Sequence, residues 1–305
     1  MTTVSKFSAE NQNSLENLER LSAQRYLYSS AKFWILIQHI AALVISIGGA
    51  LAAHKIGPQV SLFSVVYLLA DTFLIDRLFI KKRIKEAALI QKAFNCDVLD
   101  LSWTKVKYGS KVQPESVHRY ARRMKGTFQT QKLINWYSVS AFTLPVHLGR
   151  VVCQRACVSW NLTGRSRVLL GLHVLILGYI IWIVILAFSG ANPGMDVFIK
   201  FIVPTLPFAR RLADIWLKTS DGNARLERLQ GHSNGILETA RLNRNLPNDL
   251  AIEARAFQSE LYDFRSKEIP VFDSFYRFFR DEDETAMVET TDALVAEMAQ
   301  DRSTK

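Results

Sequence analysis

The sequence predicts an all-α membrane protein with four transmembrane helices in two hairpins and mainly helical cytoplasmic regions. Three observations support this fold class. The apolar residues are concentrated in four blocks, the loops within the two predicted hairpins carry almost no charge, and the polar regions are rich in helical patterns. A helix of about 20 residues crosses the roughly 30 Å hydrocarbon layer of a bilayer, which is the length of each block.

The first three blocks are the clearest spans. Phe33–Ala53 and Val168–Gly190 contain no Asp, Glu, Lys or Arg, and Val60–Ile80 is similarly apolar over most of its length. Helices this long and this uniformly apolar are rare inside soluble proteins. A cleaved signal peptide does not fit the first block, because the polar segment 1–32 precedes it and a second apolar block follows at once.

The fourth block, Met195–Leu217, is the least apolar. It contains four charged residues and two prolines, which are Lys200, Arg210, Arg211, Asp214, Pro204 and Pro207. Neighbouring helices can satisfy the carbonyls that proline leaves free in a membrane. We therefore interpret this block as a kinked span whose basic end reaches the interface, with a re-entrant or interfacial segment as the alternative.

Lys and Arg are distributed unevenly around the spans. Segment 81–167 carries 17 basic and 4 acidic residues, a net charge of +13, whereas the two hairpin loops offer only Lys55. The positive-inside rule therefore places both termini and this segment in the cytoplasm. The predicted regions are an N-terminal cytoplasmic helix, a first hairpin, a basic middle region, a second hairpin, and a C-terminal helical hairpin with its tail, at 1–32, 33–80, 81–167, 168–217 and 218–305.

Helical patterns also occur outside the spans. Asn13 with Glu16 resembles a capping box for a helix that runs toward the first span. After the fourth span, two apolar stripes are separated by the helix-breaking sequence Asn245–Asn248; they comprise Leu226, Leu229, Leu237, Ala240, Leu250, Ala254, Phe257, Leu261 and Phe264. The stripes predict an antiparallel helical hairpin, and we favour packing within the chain over packing against a neighbouring subunit.

The sequence contains no motif that indicates catalysis. The six histidines occur singly, and there is no H-E-x-x-H, G-x-S-x-G, Walker or dinucleotide-binding sequence. Cys153 and Cys157 are four residues apart but have no further zinc ligands close in sequence, so we interpret them as packing residues. With Cys96 they lie in a predicted reducing compartment. We therefore expect neither an enzyme nor a metal site or cofactor.

Charged and kinking residues within the spans are the first candidate functional group. An isolated carboxylate at the centre of a membrane helix costs about 2.5–3.5 kcal/mol, so Asp71 should face a helix-bundle interior, a cation or water. Tyr67 lies on the same helical face as Asp71. One interpretation makes these residues part of a pore or gate, together with Lys200, Pro204 and Pro207. The other makes Asp71 a structural partner between packed helices.

The basic middle region is the second candidate group. Guanidinium groups bind phosphate, and aromatic rings stack on bases. Residues of these kinds could form a nucleotide pocket, and the candidates are Arg119, Arg122, Arg123, Trp136, Tyr137, Gln154, Arg155 and Trp160. Arginine and tryptophan at helical spacing also commonly pack one helix on another, which is the competing interpretation. Lys81, Lys82, Arg83 and Lys85 instead suit contact with anionic lipid headgroups.

Several short motifs, taken in order around the four spans, resemble one known family. They are Leu21–Arg25 with Tyr28, Phe94–Leu99 with Trp103, Asn135–Tyr137, Cys153–Arg155 with Trp160, and Arg265 with Ile269–Pro270 and Phe275–Arg277. The chain thereby resembles the SMODS-associating four-transmembrane effectors of bacterial antiphage defence, found beside cyclic-oligonucleotide synthases in CBASS-type operons.

The resemblance implies a homo-oligomeric effector of the bacterial inner membrane. A cyclic oligonucleotide from a neighbouring nucleotidyltransferase would bind on the cytoplasmic side and trigger permeabilisation; no DNA or RNA polymer is implied. The alternative is a membrane-anchored scaffold that recruits partners through its C-terminal helices without forming a pore. A solute transporter ranks last, because the spans show no internal repeat.

Overall fold

This computed structural model describes residues 6–124, 133–188, 198, 202–242, 247–271 and 273–303. Within these ranges every regular element is helical, which confirms the all-α part of the predicted fold class. The α-helices are α1 (Ala9–Gln12), α2 (Leu15–Ala70), α3 (Lys82–Val98), α4 (Lys105–Tyr108), α5 (Pro114–Met124), α6 (Val146–Phe188), α7 (Val203–Leu242), α8 (Pro247–Lys267) and α9 (Asp273–Ser303). A π-helical segment, Asp71–Lys81, follows α2, and a 3₁₀ helix covers Val139–Thr143.

The chain forms two compact units. Unit 1 comprises Met1–Ser29, Arg83–Gly164 and Gly222–Lys305, and unit 2 comprises Ser30–Lys82 and Arg165–Asp221. Unit 1 is therefore assembled from three separate stretches of sequence, and unit 2 from two. The long helices α2, α6 and α7 each contribute residues to both units.

Unit 2 consists of two antiparallel helical pairs. The Gln38 side chain lies 2.7 Å from a carboxylate oxygen of Asp71, 33 residues later, a separation that a straight helix would extend to about 50 Å. The chain must therefore reverse direction between these residues, within the helical stretch α2. In the second pair, the Tyr179 hydroxyl lies 2.9 Å from that of Thr205, and the Trp216 indole donates to His173 at 3.0 Å.

The surface of unit 2 is apolar over most of its described length. Many large aliphatic side chains are exposed, among them Val44, Val66, Leu170 and Ile185. Two stretches among the described residues, Leu15–Gly49 and Val146–Ile185, are long and apolar enough to cross a membrane. An exposed apolar surface of this extent is typical of contact with lipid or protein. Lys200, part of the predicted fourth span, lies outside the described residues.

Helix α3 is the central element of unit 1. It is covered on nearly all sides, and its buried residues are Ile84, Ala87, Ala88, Ile90, Gln91, Lys92, Ala93, Phe94, Asn95, Cys96 and Val98. One side packs against Ala23 and Leu27 of α2 and Ala121 of α5. Another side presents Phe94, which stacks on the Tyr137 ring at 6.1 Å between centroids. Helices from all three stretches of unit 1 thus meet around α3.

The N-terminal segment is anchored in unit 1 by two side-chain amides. Buried Gln12 accepts from the backbone N–H of Tyr137 at 2.9 Å and donates to its carbonyl at 3.2 Å. Asn13 binds Asn135 in the same reciprocal way, accepting from its backbone N–H at 2.9 Å and donating to its side chain at 2.7 Å. The bonds from Gln12 satisfy the buried backbone of Tyr137, and those from Asn13 add an exposed contact to the same non-helical segment.

The predicted cap of α2 is wrong in its residue. The Ser14 hydroxyl accepts from the backbone N–H of Asn17 at 3.4 Å, so Ser14 caps the helix. Asn13 instead supports Asn135, whose φ of +53° lies in the left-handed region that asparagine tolerates better than most residues. Competition from this tertiary contact explains why the local capping pattern was misleading.

The C-terminal apolar stripes pack within the chain, which confirms the favoured interpretation. Leu226 and Leu229 of α7 join Phe257, Leu261 and Phe264 of α8 in a cluster around Val158 of α6. Farther along the hairpin, Leu237, Leu250 and Ala254 belong to the main core. Asn245 and Leu246 of the predicted turn lie outside the described residues.

We predict that Gln12→Ala destabilises unit 1 by about 1–3 kcal/mol, because it leaves a buried backbone N–H and C=O of Tyr137 unpaired. The measurement is denaturant unfolding of the full chain in detergent, followed by aromatic fluorescence. Glu10→Ala is the matched control, since Glu10 is exposed on the same one-turn helix. Equal stability of the two variants would contradict the anchoring role of Gln12.

Candidate functional site

A buried polar cluster lies inside unit 2 and involves three of its helical arms. Asp71 is fully buried and forms an ion pair with Arg211 of α7, whose side chain is also buried. Gln38 donates to the other carboxylate oxygen of Asp71 at 2.7 Å. Tyr67 donates from its hydroxyl to the backbone carbonyl of Gln38 at 3.1 Å. We call Gln38, Tyr67, Asp71 and Arg211 the unit 2 polar cluster.

This arrangement confirms that Asp71 faces the interior of the helical bundle and a partner cation. Burying a single charge in an apolar medium is strongly unfavourable, whereas a pair with further hydrogen bonds offsets much of that cost. The predicted placement of Arg211 at the membrane interface is wrong, because pairing with Asp71 holds it inside unit 2. Gln38 was not identified as a site residue from the sequence. The one sequence feature that could have indicated it is its polar amide within the apolar block Phe33–Ala53.

The interior of unit 2 retains unused hydrogen-bonding capacity. Among the described residues, Gln38 Oε1 and Arg211 Nε are buried without a hydrogen-bond partner, as are the hydroxyls of Ser46 and Ser64. Such groups are costly in a low-dielectric interior unless water or another polar group reaches them. The interior of unit 2 is therefore more polar than its surface, the reverse of a soluble helical bundle.

Two irregularities of the helices adjoin the ion pair. Pro207 lies inside α7, four residues before Arg211, and prevents one backbone hydrogen bond of that helix. Pro204 is one turn earlier and, like Pro207, is buried. Asp71 is the first residue of the π-helical segment, a geometry that is frequent at functional sites. Of the predicted pore residues, the structure thus brings Tyr67 and Asp71 together and places both prolines on the arm that carries Arg211.

The predicted ligand-binding arginines of α5 are exposed. Arg123 donates to the Tyr26 hydroxyl at 3.0 Å, and its guanidinium lies 5.6 Å from the centre of that ring. Arg119 lies 5.8 Å from the centre of the Tyr120 ring, and the two tyrosine rings stack at 6.0 Å. Arg122 is exposed on the same helix. These three arginines form one basic face of unit 1.

The predicted aromatic and amide residues lie in different surroundings. Tyr137 is buried and donates from its hydroxyl to Asn95 at 2.9 Å. Burial in the core raises the pKa of Tyr137 well above its ordinary value. Trp136 is partly buried and contacts Phe94 edge to face at 6.3 Å. Gln154 is fully buried and donates to the Ala254 carbonyl at 2.8 Å.

The remaining two predicted residues belong to α6. Arg155 donates to the side chain of Asn234 on α7 at 2.6 Å, and Trp160 is partly buried. The eight residues therefore fall into an exposed arginine face on α5, a core group around Tyr137 and Gln154, and the α6–α7 contact of Arg155. The described contacts do not join these groups into one pocket, and a ligand-binding role for them stays a prediction.

The motif residues that suggested a family resemblance have mostly structural contacts in unit 1. Asp97 accepts from Asn17 at 3.2 Å and Arg20 at 3.3 Å, while its carbonyl accepts from Asn11 at 3.2 Å. Arg150 donates to the Leu99 carbonyl at 2.6 Å, just past the end of α3. These contacts hold the end of α3 against the N-terminal segment and against α6.

Unit 2 has exposed aliphatic side chains and an ion pair in its interior, and two helical stretches of the described chain are long and apolar enough to cross a membrane, which is typical of a helical membrane protein. The chain belongs to the family of the SMODS-associating 4TM effector domain, whose model matches residues 9–294. It is also similar to a protein of Bacillus cereus (strain VD146) named "Probable CBASS effector molecule", with 22% identity over 291 residues, 92% of this chain and 95% of that protein. No solved structure matches the chain significantly.

We predict that Asp71→Asn or Arg211→Gln alone destabilises unit 2 by about 3–5 kcal/mol, because each leaves an uncompensated buried charge. The double variant should recover most of that loss, since it buries no net charge. Unfolding of each variant in mixed micelles measures the effect. Asp76→Asn is the control, because Asp76 pairs at 2.9 Å with a Lys81 side chain that is mostly exposed. Additive effects of the two single changes would contradict direct pairing.

Proposed function

We propose that this protein is a CBASS antiphage effector that binds a cyclic oligonucleotide through unit 1 and permeabilises the bacterial inner membrane through unit 2. The family match and the B. cereus relative support the effector role. The observation that carries the pore-forming part is the polar interior of unit 2. Helices with aliphatic outer surfaces enclose an ion pair and, among the described residues, amide and hydroxyl groups without hydrogen-bond partners. Such an interior is compatible with a path for water and ions.

The single chain is in a closed state under this proposal. The Asp71–Arg211 pair bridges the two helical pairs, so conduction under this proposal needs rearrangement or assembly of several subunits. A ligand opens such a protein only if it binds the open or assembled state more tightly than the closed one. Homo-oligomerisation on ligand binding is therefore part of the proposal.

All four arms of unit 2 cross the membrane, with both termini in the cytoplasm. Antiparallel packing within each pair supports two hairpins, since each pair then returns the chain to the side from which it entered. The net charge of +13 between 81 and 167 supports a cytoplasmic location for the middle region. This topology places all of unit 1 on one side, where a cytoplasmic nucleotide can reach it.

A scaffold function receives less support from the C-terminal helices. Their apolar stripes, which a partner helix would need, are used inside the chain by Phe257, Leu261 and Phe264. The exposed arginine face of α5 instead offers guanidinium groups beside stacked tyrosines, which suits a phosphate-bearing ligand.

Liposomes that contain the protein and a trapped dye provide the direct test. We expect leakage on addition of at least one cyclic di- or trinucleotide from a panel of adenine and guanine compounds, and none with linear nucleotides. Asp71→Leu should change the leakage rate, because it removes the ion pair at the centre of unit 2. Binding and oligomerisation without leakage would favour a scaffold and reject the pore.

Cysteine labelling tests the topology. The three native cysteines are buried, so single cysteines introduced at Arg122, Glu253 and Gln59 report selectively. We expect an impermeant maleimide to label Gln59→Cys in intact cells, and Arg122→Cys and Glu253→Cys only after the inner membrane is opened. Labelling of Arg122→Cys and Glu253→Cys on opposite faces would contradict the four-span arrangement.

A further inference from the structure

A second basic and aromatic surface in unit 1 surrounds the segment Trp103–Lys111. Within this segment only Tyr108 is buried, Trp103 is partly buried, and the lysines Lys105, Lys107 and Lys111 are exposed. The ammonium group of Lys111 lies 5.8 Å from the centre of the Trp103 ring. None of these residues was identified as a site from the sequence, because a short lysine-rich segment is usually a solvated surface.

The segment has a defined shape. The Trp103 indole donates to the Gly109 carbonyl at 2.8 Å, and the Gly109 N–H donates to the Lys105 carbonyl at 2.8 Å. Gly109 has φ of +70° and ψ of −155°, a conformation essentially confined to glycine. The Tyr108 hydroxyl donates to Ser259 of α8 at 2.7 Å, which fixes the segment to the C-terminal helices.

A buried cation lies beneath this segment. Lys92 of α3 is 3% exposed, and its ammonium group lies 3.9 Å from the centre of the Tyr108 ring and 5.7 Å from that of Tyr262. Aromatic faces attract a cation but neutralise no charge. A fully buried lysine is rare in folded proteins unless a carboxylate pairs with it.

Positive charge around Lys92 exceeds negative charge. The carboxylate that acts on Lys92 is that of Asp263, and it already forms an ion pair with Lys107 at 3.0 Å. None of the ion pairs among the described residues involves Lys92, Lys111 or Arg265, although Arg265 is buried. Burial is the main cause that lowers the pKa of Lys92 to about 8; Lys107 and Arg265 act in the same direction, and Cys96 and Asp263 oppose them. An anion bound here would offset this excess.

We propose that Lys107, Lys111 and Trp103, with Lys92 beneath them, form the binding site for the phosphodiester and base of the activating cyclic oligonucleotide. The identity of the ligand rests on the proposed function. The location of the site rests on the positions of the lysine ammonium groups and the Trp103 ring. The exposed ammonium group of Lys111 binds one phosphate oxygen, and Lys107 exchanges its ion pair with Asp263 for one with another phosphate oxygen. The Trp103 ring stacks on a base once Lys111 moves from the ring to the phosphate.

The ring favours a nucleotide over other phosphates. A lipid headgroup or inorganic phosphate uses the ammonium groups but has no base to stack on the partly buried Trp103 ring. Base stacking on an aromatic side chain strengthens binding roughly 5- to 150-fold, which only a nucleobase can use. The site is therefore suited to a nucleotide, and inorganic phosphate and anionic lipid are separate arms of the test.

The test uses the full chain in nanodiscs of uncharged lipid, titrated calorimetrically with the cyclic nucleotide that gives the strongest signal in a panel of cyclic di- and trinucleotides. We expect Lys107→Ala/Lys111→Ala and Trp103→Leu each to weaken binding at least about tenfold, because each loses a charge-assisted contact or a stacked base. Lys105→Ala is the matched control: it removes another exposed lysine of the same segment, one without a described ring contact, and binding should change less than about twofold.

Proton uptake on binding distinguishes a role of Lys92 in the site from a purely structural role, which would not change the uptake. A bound phosphate raises the pKa of Lys92, so binding near pH 8 takes up protons, and affinity falls as the pH rises above 8. At pH 6 Lys92 is already protonated, and uptake by this group vanishes. Titrations in buffers of different ionisation heats measure the uptake, and Lys92→Met should abolish it at pH 8.

The outcomes separate the site from the proposed function. Loss of both binding and leakage in the Lys107→Ala/Lys111→Ala variant supports both. Leakage and binding as in the unaltered protein, or loss in Arg119→Ala/Arg123→Ala instead, overturns the site alone. Binding that depends on the site without leakage supports the site and rejects the pore. The site is also overturned if inorganic phosphate or the anionic lipid of a nanodisc binds as tightly as the cyclic nucleotide. The same holds if Lys105→Ala weakens binding as much as Lys107→Ala/Lys111→Ala, or if no nucleotide binds.

Discussion

The ion pair of Asp71 with Arg211 is the constraint on which unit 2 depends. It joins an arm of the first helical pair to an arm of the second, and the 2.7 Å bond from Gln38 adds a third arm. Apolar packing between helices is weakly directional in lipid, so a buried charge pair fixes which faces meet. The outward-facing side chains are then free to be uniformly aliphatic, and the unpaired groups of Gln38 and Arg211 remain inside.

Unit 1 follows a different principle, because its central helix α3 is buried on almost every side despite a polar sequence. Asn95 and Asp97 are covered by partners from distant parts of the chain, such as Tyr137 and Arg20. The short motifs that connect this chain with its family thus largely reflect how unit 1 closes around α3. Residues that recognise a ligand are better sought where charge has no internal partner.

The helical class and the inward face of Asp71 were predictable, because long apolar blocks and a lone carboxylate within one of them have few physical solutions. The partner of Asp71 was not, since Arg211 lies 140 residues away and its neighbours Arg210 and Pro207 suggested an interface. Tyr137 and Gln154 are residue types that ligand sites use, yet both are buried in the core. Their burial depends on tertiary contacts, which the sequence does not show. Lys92 gave no signal, because a lysine on a helix is normally solvated.

The three-part composition of unit 1 constrains how the protein is made. Its main core includes Phe7, Phe94, Val151, Leu250 and Met298, so the core cannot close before the ribosome has synthesised nearly the whole chain. Both helical pairs of unit 2 are translated before that point. Membrane insertion therefore begins before the apolar core residues around α3 have packed together. A chain that fails to insert leaves these residues exposed to chaperones and proteases.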